Sequence, residues 1–220
     1  MPSSRTTRFL DLSQQPPVDG FLQDPVQAAG AALILTHGAG ADCGSKLLVS
    51  VAEAFVQQGF LVLRCNLPFR QQRPHGPPSP GSAERDREGL KRAVQVIKAK
   101  MAGRIFLGGH SYGGRQASIL AADTPELVTG LLLLSYPLHP PRRPDQLRTA
   151  HFPRLTTPVQ FVHGSRDPFA SVQELHSAIS VIPARHATYE VEDAGHELLG
   201  RKNEATLPAA IAKTFISFIG

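Results

Sequence analysis

A serine becomes a nucleophile toward an acyl carbon when a base sits beside it and a carboxylate holds the base in place. Residues Gly108 to Arg115 read GGHSYGGR and set Ser111 inside Gly-x-Ser-x-Gly, directly behind the apolar run Arg104-Ile-Phe-Leu107. That is the sequence form of a nucleophile elbow, a tight strand-to-helix turn with a serine exposed at its tip. Such a turn closes only when the residues two before and two after the serine are small, and Gly109 and Gly113 meet that need. A short glycine pattern also recurs by chance in ordinary loops. The flanks favour the elbow: an apolar strand precedes it, and Ala117, Ser118, Leu120 and Ala121 continue it as a small-residue helix.

Nine histidines compete for the role of base. In an open parallel sheet the loops that follow the strands emerge on one rim, here after Thr36, Cys65, Gly109, Ser135, His163 and Val191. His196, in EDAGHEL, follows the last of these strands and a glycine able to bend its loop toward the elbow. His37, His139 and His151 also lie on rim loops and are its rivals. His163 ends a strand and is expected to pack, His176 and His186 lie in or beside a helix, and His110 is expected to point away from the serine.

The chain order Ser, acid, His of elbow enzymes favours His196 and puts the acid before it. Asp167, in VHGSRDPF, is the candidate; an aspartate before proline is also a common turn or helix cap. Glu192 and Asp193 share His196's own loop, and Asp145 is a weaker alternative. The developing oxyanion needs donors, expected from the backbone N–H of Tyr112 and of Ala39 in Thr36-His-Gly-Ala-Gly40.

The elements that must hold these residues alternate between strand-length apolar runs and helix-period segments, the pattern of a mostly parallel, doubly wound α/β sheet. Strands are expected at Ala31 to Thr36, Phe60 to Cys65, Ile105 to Gly108, Gly130 to Ser135, Pro158 to His163 and Ala187 to Val191. Helices are expected at Ser45 to Gln58, from Ser82 to about Met101, at Ser171 to Ser180 and at Glu204 to Ile219. A Pro-rich loop fills Asn66 to Ser82. Residues 1–30 are poorly defined by pattern, with one edge strand suggested at Arg8 to Leu12.

A chain of 220 residues, 41% apolar, is expected to form a single domain over 1–220. The start MPSSRTTRFLDLSQQ carries no leader-like apolar stretch and no later run approaches membrane-span length, so a cytoplasmic protein without membrane contact is expected. Cys43 and Cys65 have no metal-ligand or disulfide-framework spacing, and neither metal nor cofactor is expected. The net charge of +5 is not accompanied by aromatic interleaving or a nucleic-acid motif, so no nucleic-acid partner is expected.

With these residues assembled, the chain resembles an α/β-hydrolase of the dienelactone-hydrolase-like type. The segments THGAG, RCNLPFRQQRP, GGHSYGGR, SYPLHPP, RTAH, HGSRDPF and DAGHE are similar to those of the KANL/Tex30 family of small hydrolases, from about residue 31 to 202. The resemblance implies a minimal hydrolase core without a large cap domain, with Ser111, Asp167 and His196 in the catalytic positions. His110 and Tyr112 stand where related sequences often carry Arg or Lys and Met, and the cysteine nucleophile of true dienelactone hydrolases is absent.

The expected activity is cleavage of small carboxylic esters or thioesters through an acyl-enzyme on Ser111. The alternative is an inactive scaffold of the same fold that binds a protein partner; a scaffold has no physical need for Ser, Asp and His together. His37, Arg70, Arg73, His139, Arg148 and His151 are expected to line the substrate site from the rim loops. Arg70 and Arg73 on one loop, with Arg142, Arg143 and Arg148 on another, suggest an anionic substrate.

Overall fold

The computed structural model describes residues 4–140 and 142–220. Its strands are β1 (Arg5–Asp11), β2 (Val18–Asp24), β3 (Ala31–Thr36), β4 (Leu61–Asn66), β5 (Arg104–His110), β6 (Gly130–Leu134), β7 (Val159–Gly164) and β8 (His186–Val191). They form one sheet in the order β1-β2-β4-β3-β5-β6-β7-β8. The β1–β2 and β2–β4 pairs are antiparallel, and every pairing from β4 to β8 is parallel. The central strands β3, β6 and β7 are buried along their whole length, as continuous apolar runs covered on both faces must be.

The helices are α1 (Lys46–Gln57), α2 (Pro68–Gln72), α3 (Ser82–Lys100), α4 (Tyr112–Asp123), α5 (Val172–Ile179) and α6 (Leu207–Ile219). Helices α1 and α6 bury Phe55 and Phe215 against Phe60 and Phe106 on one face of the sheet. Helices α3, α4 and α5 cover the other face, where Tyr136, Phe152 and Phe161 meet edge to face or tilted. Helix α5 starts with a capping box, Ser171 and Glu174 exchanging side-chain and backbone hydrogen bonds. Among the described residues, no helix is long and apolar enough to cross a membrane.

The expected architecture is realised, with local corrections. Of the edge strand expected at Arg8 to Leu12, Arg8 to Asp11 lie on β1, which starts earlier, at Arg5, and ends before Leu12; β2 was not anticipated at all. Its Asp19-Gly20 interrupts the apolar alternation, yet Gly20 is required where it is: a Cβ there would stand 1.9 Å from the Arg64 carbonyl oxygen of β4. The Pro-rich loop contains the short α2, nucleated by Pro68 at the first helical position. His186 opens β8 instead of lying by a helix, and α6 begins at Leu207, after a turn in which Asn203 Oδ1 accepts the Gly200 N–H.

Candidate active site

Strand β5 runs into α4 through Ser111, whose φ of 49° and ψ of −115° lie where an L-residue is strained. Strain of this kind persists only when the surroundings over-determine it. Ser111 N–H donates to the Leu134 carbonyl at 2.8 Å, and Ser111 C=O accepts from Arg115 N–H at 3.0 Å. A Cβ on Gly113 would lie 2.5 Å from the His37 carbonyl oxygen, and one on Gly109 would lie 2.8 Å from backbone atoms of Gly113 and Gly114. Both positions must be glycine for the turn to close against the end of β3.

The loops after β7 and β8 bring Asp167 and His196 to this turn. Ser111 Oγ–H donates to His196 Nε2 at 2.8 Å, and His196 Nδ1–H donates to Asp167 Oδ2 at 2.8 Å. A carboxylate accepts only, so Asp167 fixes the tautomer that leaves Nε2 free to accept the serine proton. The Asp167 side chain is fully buried, and its Oδ1 accepts the Phe169 N–H at 2.9 Å. The two loops are stitched together by Arg166 N–H to Ala194 C=O at 2.9 Å, Asp193 N–H to Ser165 Oγ at 2.9 Å and an Arg166–Asp193 ion pair. Asp193, an alternative acid by sequence, is occupied there.

A cleft of about 360 Å³ opens over Ser111, lined by Gly38 to Ala41, His110, Phe169, His196 and Glu197. Ala39 belongs to the loop after β3 that forms one wall. Tyr112 is the first residue of α4, where an N–H has no acceptor within the helix. Its side chain turns away from the cleft: Tyr112 Oη–H donates to buried Asp86 at 2.7 Å, and its ring meets Phe69 edge-on at 5.7 Å. Larger surface hollows exist elsewhere. One of about 620 Å³, lined by Val26 to Ala29 and Val56 to Gly59, lies where β3 and β4 begin, at the edge of the sheet opposite Ser111. Among the described residues, no cluster of side chains has the composition of a metal site.

A model of the alpha/beta hydrolase domain family matches residues 29–219. This chain is an alpha/beta hydrolase. Solved structures with the same fold include dienelactone hydrolase from Anabaena variabilis, 19% identical, covering 97% of this chain and 98% of that one, with a TM-score of 0.77. An alpha-beta serine hydrolase homologue from Coxiella burnetii is 19% identical over 94% of this chain and 96% of that one, with a TM-score of 0.73. A serine hydrolase without a lid from Xanthomonas campestris is 16% identical over 99% and 96%, with a TM-score of 0.76. At such identities the likeness is one of fold, and among the described residues no large cap stands over this hydrolase's sheet.

The remaining residues expected in the site are distributed differently in this hydrolase. His37 is a core residue: Leu67 N–H donates to its Nε2 at 3.1 Å and its Nδ1–H donates to Gly38 C=O at 2.8 Å, leaving nothing to offer a substrate. Burial holds it neutral, with its pKa pushed down to about 4. Arg70 is likewise buried, and carbonyls consume its donors: Ala41, Ala39, Gly76 and Arg73, all within 3.0 Å. It braces the Ala39 loop from behind instead of facing the cleft. Arg73 is exposed and donates to Ser79 Oγ at 2.8 Å on its own loop.

His139 is buried outside the cleft, its Nδ1–H donating to Pro140 C=O at 2.8 Å. His151 Nε2 lies 2.8 Å from Ser118 Oγ beneath α4, and burial pushes its pKa down to about 4. Arg148 is half-buried on the segment between β6 and β7 and does not line the cleft.

Two residues that sequence reasoning passed over do line it. His110, expected to point away, donates from Nε2 to the His196 carbonyl at 2.9 Å, with the two rings 5.0 Å apart. Burial holds His110 below the ordinary histidine value. The Phe169 ring is tilted against His196, its centroid 4.2 Å away. The base thus packs against two rings. Adjacency to Ser111 was the available signal for His110, whereas Phe169 offered none beyond lying two residues after Asp167.

Proposed function

We propose that this hydrolase is a single-domain serine esterase or thioesterase acting on small carboxylic esters through an acyl-enzyme on Ser111, within the KANL/Tex30 kinship. The reading rests on the unbroken hydrogen-bonded chain Ser111–His196–Asp167 at the floor of an open cleft. In the first step Ser111 Oγ forms a bond to the acyl carbon while its proton passes to His196 Nε2. The carbonyl electron pair moves onto oxygen, where the N–H groups of Ala39 and Tyr112 stabilise it. Collapse of this intermediate expels the alcohol or thiol, which takes the proton from His196. Water then enters as the second nucleophile and the same groups release the acid.

The cleft volume of about 360 Å³ is near the lower end for small-molecule sites, which favours short acyl groups. The test is labelling by a fluorophosphonate probe together with turnover of p-nitrophenyl acetate. The parent protein is expected to label and turn over, and Ser111→Ala to do neither while keeping its circular-dichroism spectrum and unfolding midpoint. Equal labelling of the two proteins removes Ser111 from the role.

A further inference from the structure

The chain Ser111–His196–Asp167 leaves one polar atom of the cleft unused. His110 lines the cleft beside Ser111, and its Nε2 lies 2.9 Å from the His196 carbonyl oxygen. A carbonyl only accepts, so the ring proton sits on Nε2. Burial holds the ring neutral, and Nδ1 is therefore a bare lone pair. Among the described residues Nδ1 has no hydrogen-bond partner. It is also open: His139 Nε2 and His163 Nδ1 are unpartnered nitrogens sealed in the interior, and His110 Nδ1 is not sealed with them. The rest of the His110 ring being buried, solvent reaches this atom through the cleft that His110 lines.

Gly38 keeps the approach to it clear. A Cβ there would stand 3.1 Å from His110 Nδ1 and 3.4 Å from Ser111 Cβ, so a side chain would cover the lone pair and crowd the nucleophile at once. The lone pair thus borders the gap between the loop after β3 and the elbow, beside the Ser111 side chain. The rest of the lining has the same polarity. Apart from His110, Ser111 and His196 it consists of Gly38 to Ala41, Phe169 and Glu197, and a glutamate carboxylate accepts without donating. Among the described residues no lysine or arginine lines the cleft, so it offers no side-chain cation to an anionic group. An acceptor of this kind gains a hydrogen bond from a substrate hydroxyl or amine and is left unpaired by the apolar isostere, which it therefore rejects.

We infer that His110 Nδ1 is a specificity-determining acceptor, which favours small esters or thioesters bearing a hydroxyl or amino group a few bonds from the scissile carbonyl. The substrate role rests on the hydrolase reading; the acceptor stands on the geometry of His110.

The two parts are tested separately with four esters: 2-hydroxyethyl acetate against its isostere propyl acetate, and methyl 3-hydroxybutanoate against methyl 3-methylbutanoate. The acceptor is read from long-range proton–nitrogen NMR spectra of Ser111→Ala at pH 7.5, the His110 signals being those lost on adding His110→Gln. One protonated and one bare nitrogen are expected, the bare one moving toward the protonated range with a hydroxylated ester and not with its isostere. A protonated Nδ1, or no difference between the members of both pairs, overturns the acceptor.

Substrate choice is read from kcat/KM within each pair, divided by the ratio of the two rates with hydroxide alone. The parent is expected to favour the hydroxylated member of at least one pair by about tenfold, as a single hydrogen bond allows. His110→Phe is expected to lose the preference, and His110→Gln, which keeps an acceptor, to retain part of it. A loosened His196 in these variants slows both members of a pair alike and leaves their ratio unchanged. The pair that responds shows whether the acyl or the alcohol side carries the donor. No preference in the parent, or the same preference in His110→Phe, overturns the part of His110 in substrate choice. Turnover of none of the four esters, with Nδ1 still responding to a hydroxylated one, overturns the hydrolase reading and upholds the acceptor.

Discussion

Asp167 accepts two hydrogen bonds from a fully buried position, one from the Phe169 amide and one from His196. An asparagine there must present an NH₂ group to one of these donors, and turning its oxygen toward Phe169 forces His196 into the tautomer that cannot take the serine proton. Asp167→Asn is therefore expected to lower kcat for p-nitrophenyl acetate by about 10⁴ with little change in fold. His196→Ala is expected to lose about as much as Ser111→Ala, and the double variant to lose no more than either, because the groups act as a unit. Steady-state kinetics on the four proteins decide this: a loss under tenfold in Asp167→Asn excludes it as the orienting acid.

At the scale of elements, His37 ties the loop after β3 to the start of α2. Only its neutral ring can both accept from Leu67 and donate to Gly38. Its pKa of about 4 lies below the ordinary 6.5, so the unfolded chain takes up the proton first as pH falls. The stability His37 contributes is complete above pH 6.5 and is lost progressively between 6.5 and 4, and His151 behaves alike. Each contributes about 3 kcal/mol at the limit by linkage, an order-of-magnitude figure. Asp86, which burial pushes up, works in the opposite sense on acidification, so the comparison must be internal. Urea midpoints at pH 7.5, 5.5 and 4.5 are expected to fall more steeply for the parent than for His37→Gln/His151→Gln. Parallel curves mean that these rings are not buried neutral.

At the scale of the molecule, a parallel sheet without a large cap leaves the cleft over Ser111 with short walls. A long acyl chain gains about 0.8 kcal/mol per methylene only where a pocket encloses it. Across p-nitrophenyl esters, kcat/KM is expected to peak at roughly two to four acyl carbons and then decline, since a cleft near the lower end of ligand-site volumes has no room for more. A rise through decanoate requires an enclosed channel and excludes this reading of the cleft.

Strand and helix positions along most of the chain were legible because each central strand is a continuous apolar run and each covering helix carries an apolar stripe, as in β6 and α1. Gly-x-Ser-x-Gly and the chain order of Ser111, Asp167 and His196 were enough to bring these three onto one rim. Sequence reasoning failed where a residue's role depends on what the fold stacks against it. Gly20 is legible as a strand residue only beside the Arg64 carbonyl, and β2 was missed. His37 and Arg70 sit on rim loops by sequence, yet the Nε2 acceptor of His37 and a donor of Arg70 are spent on backbone groups 30 and 31 residues away. Local pattern determines which segments are apolar and which turns can close. Only the tertiary structure decides which polar groups on those turns remain free to meet a substrate, because hydrogen-bond partners and burial come from elements distant in the chain.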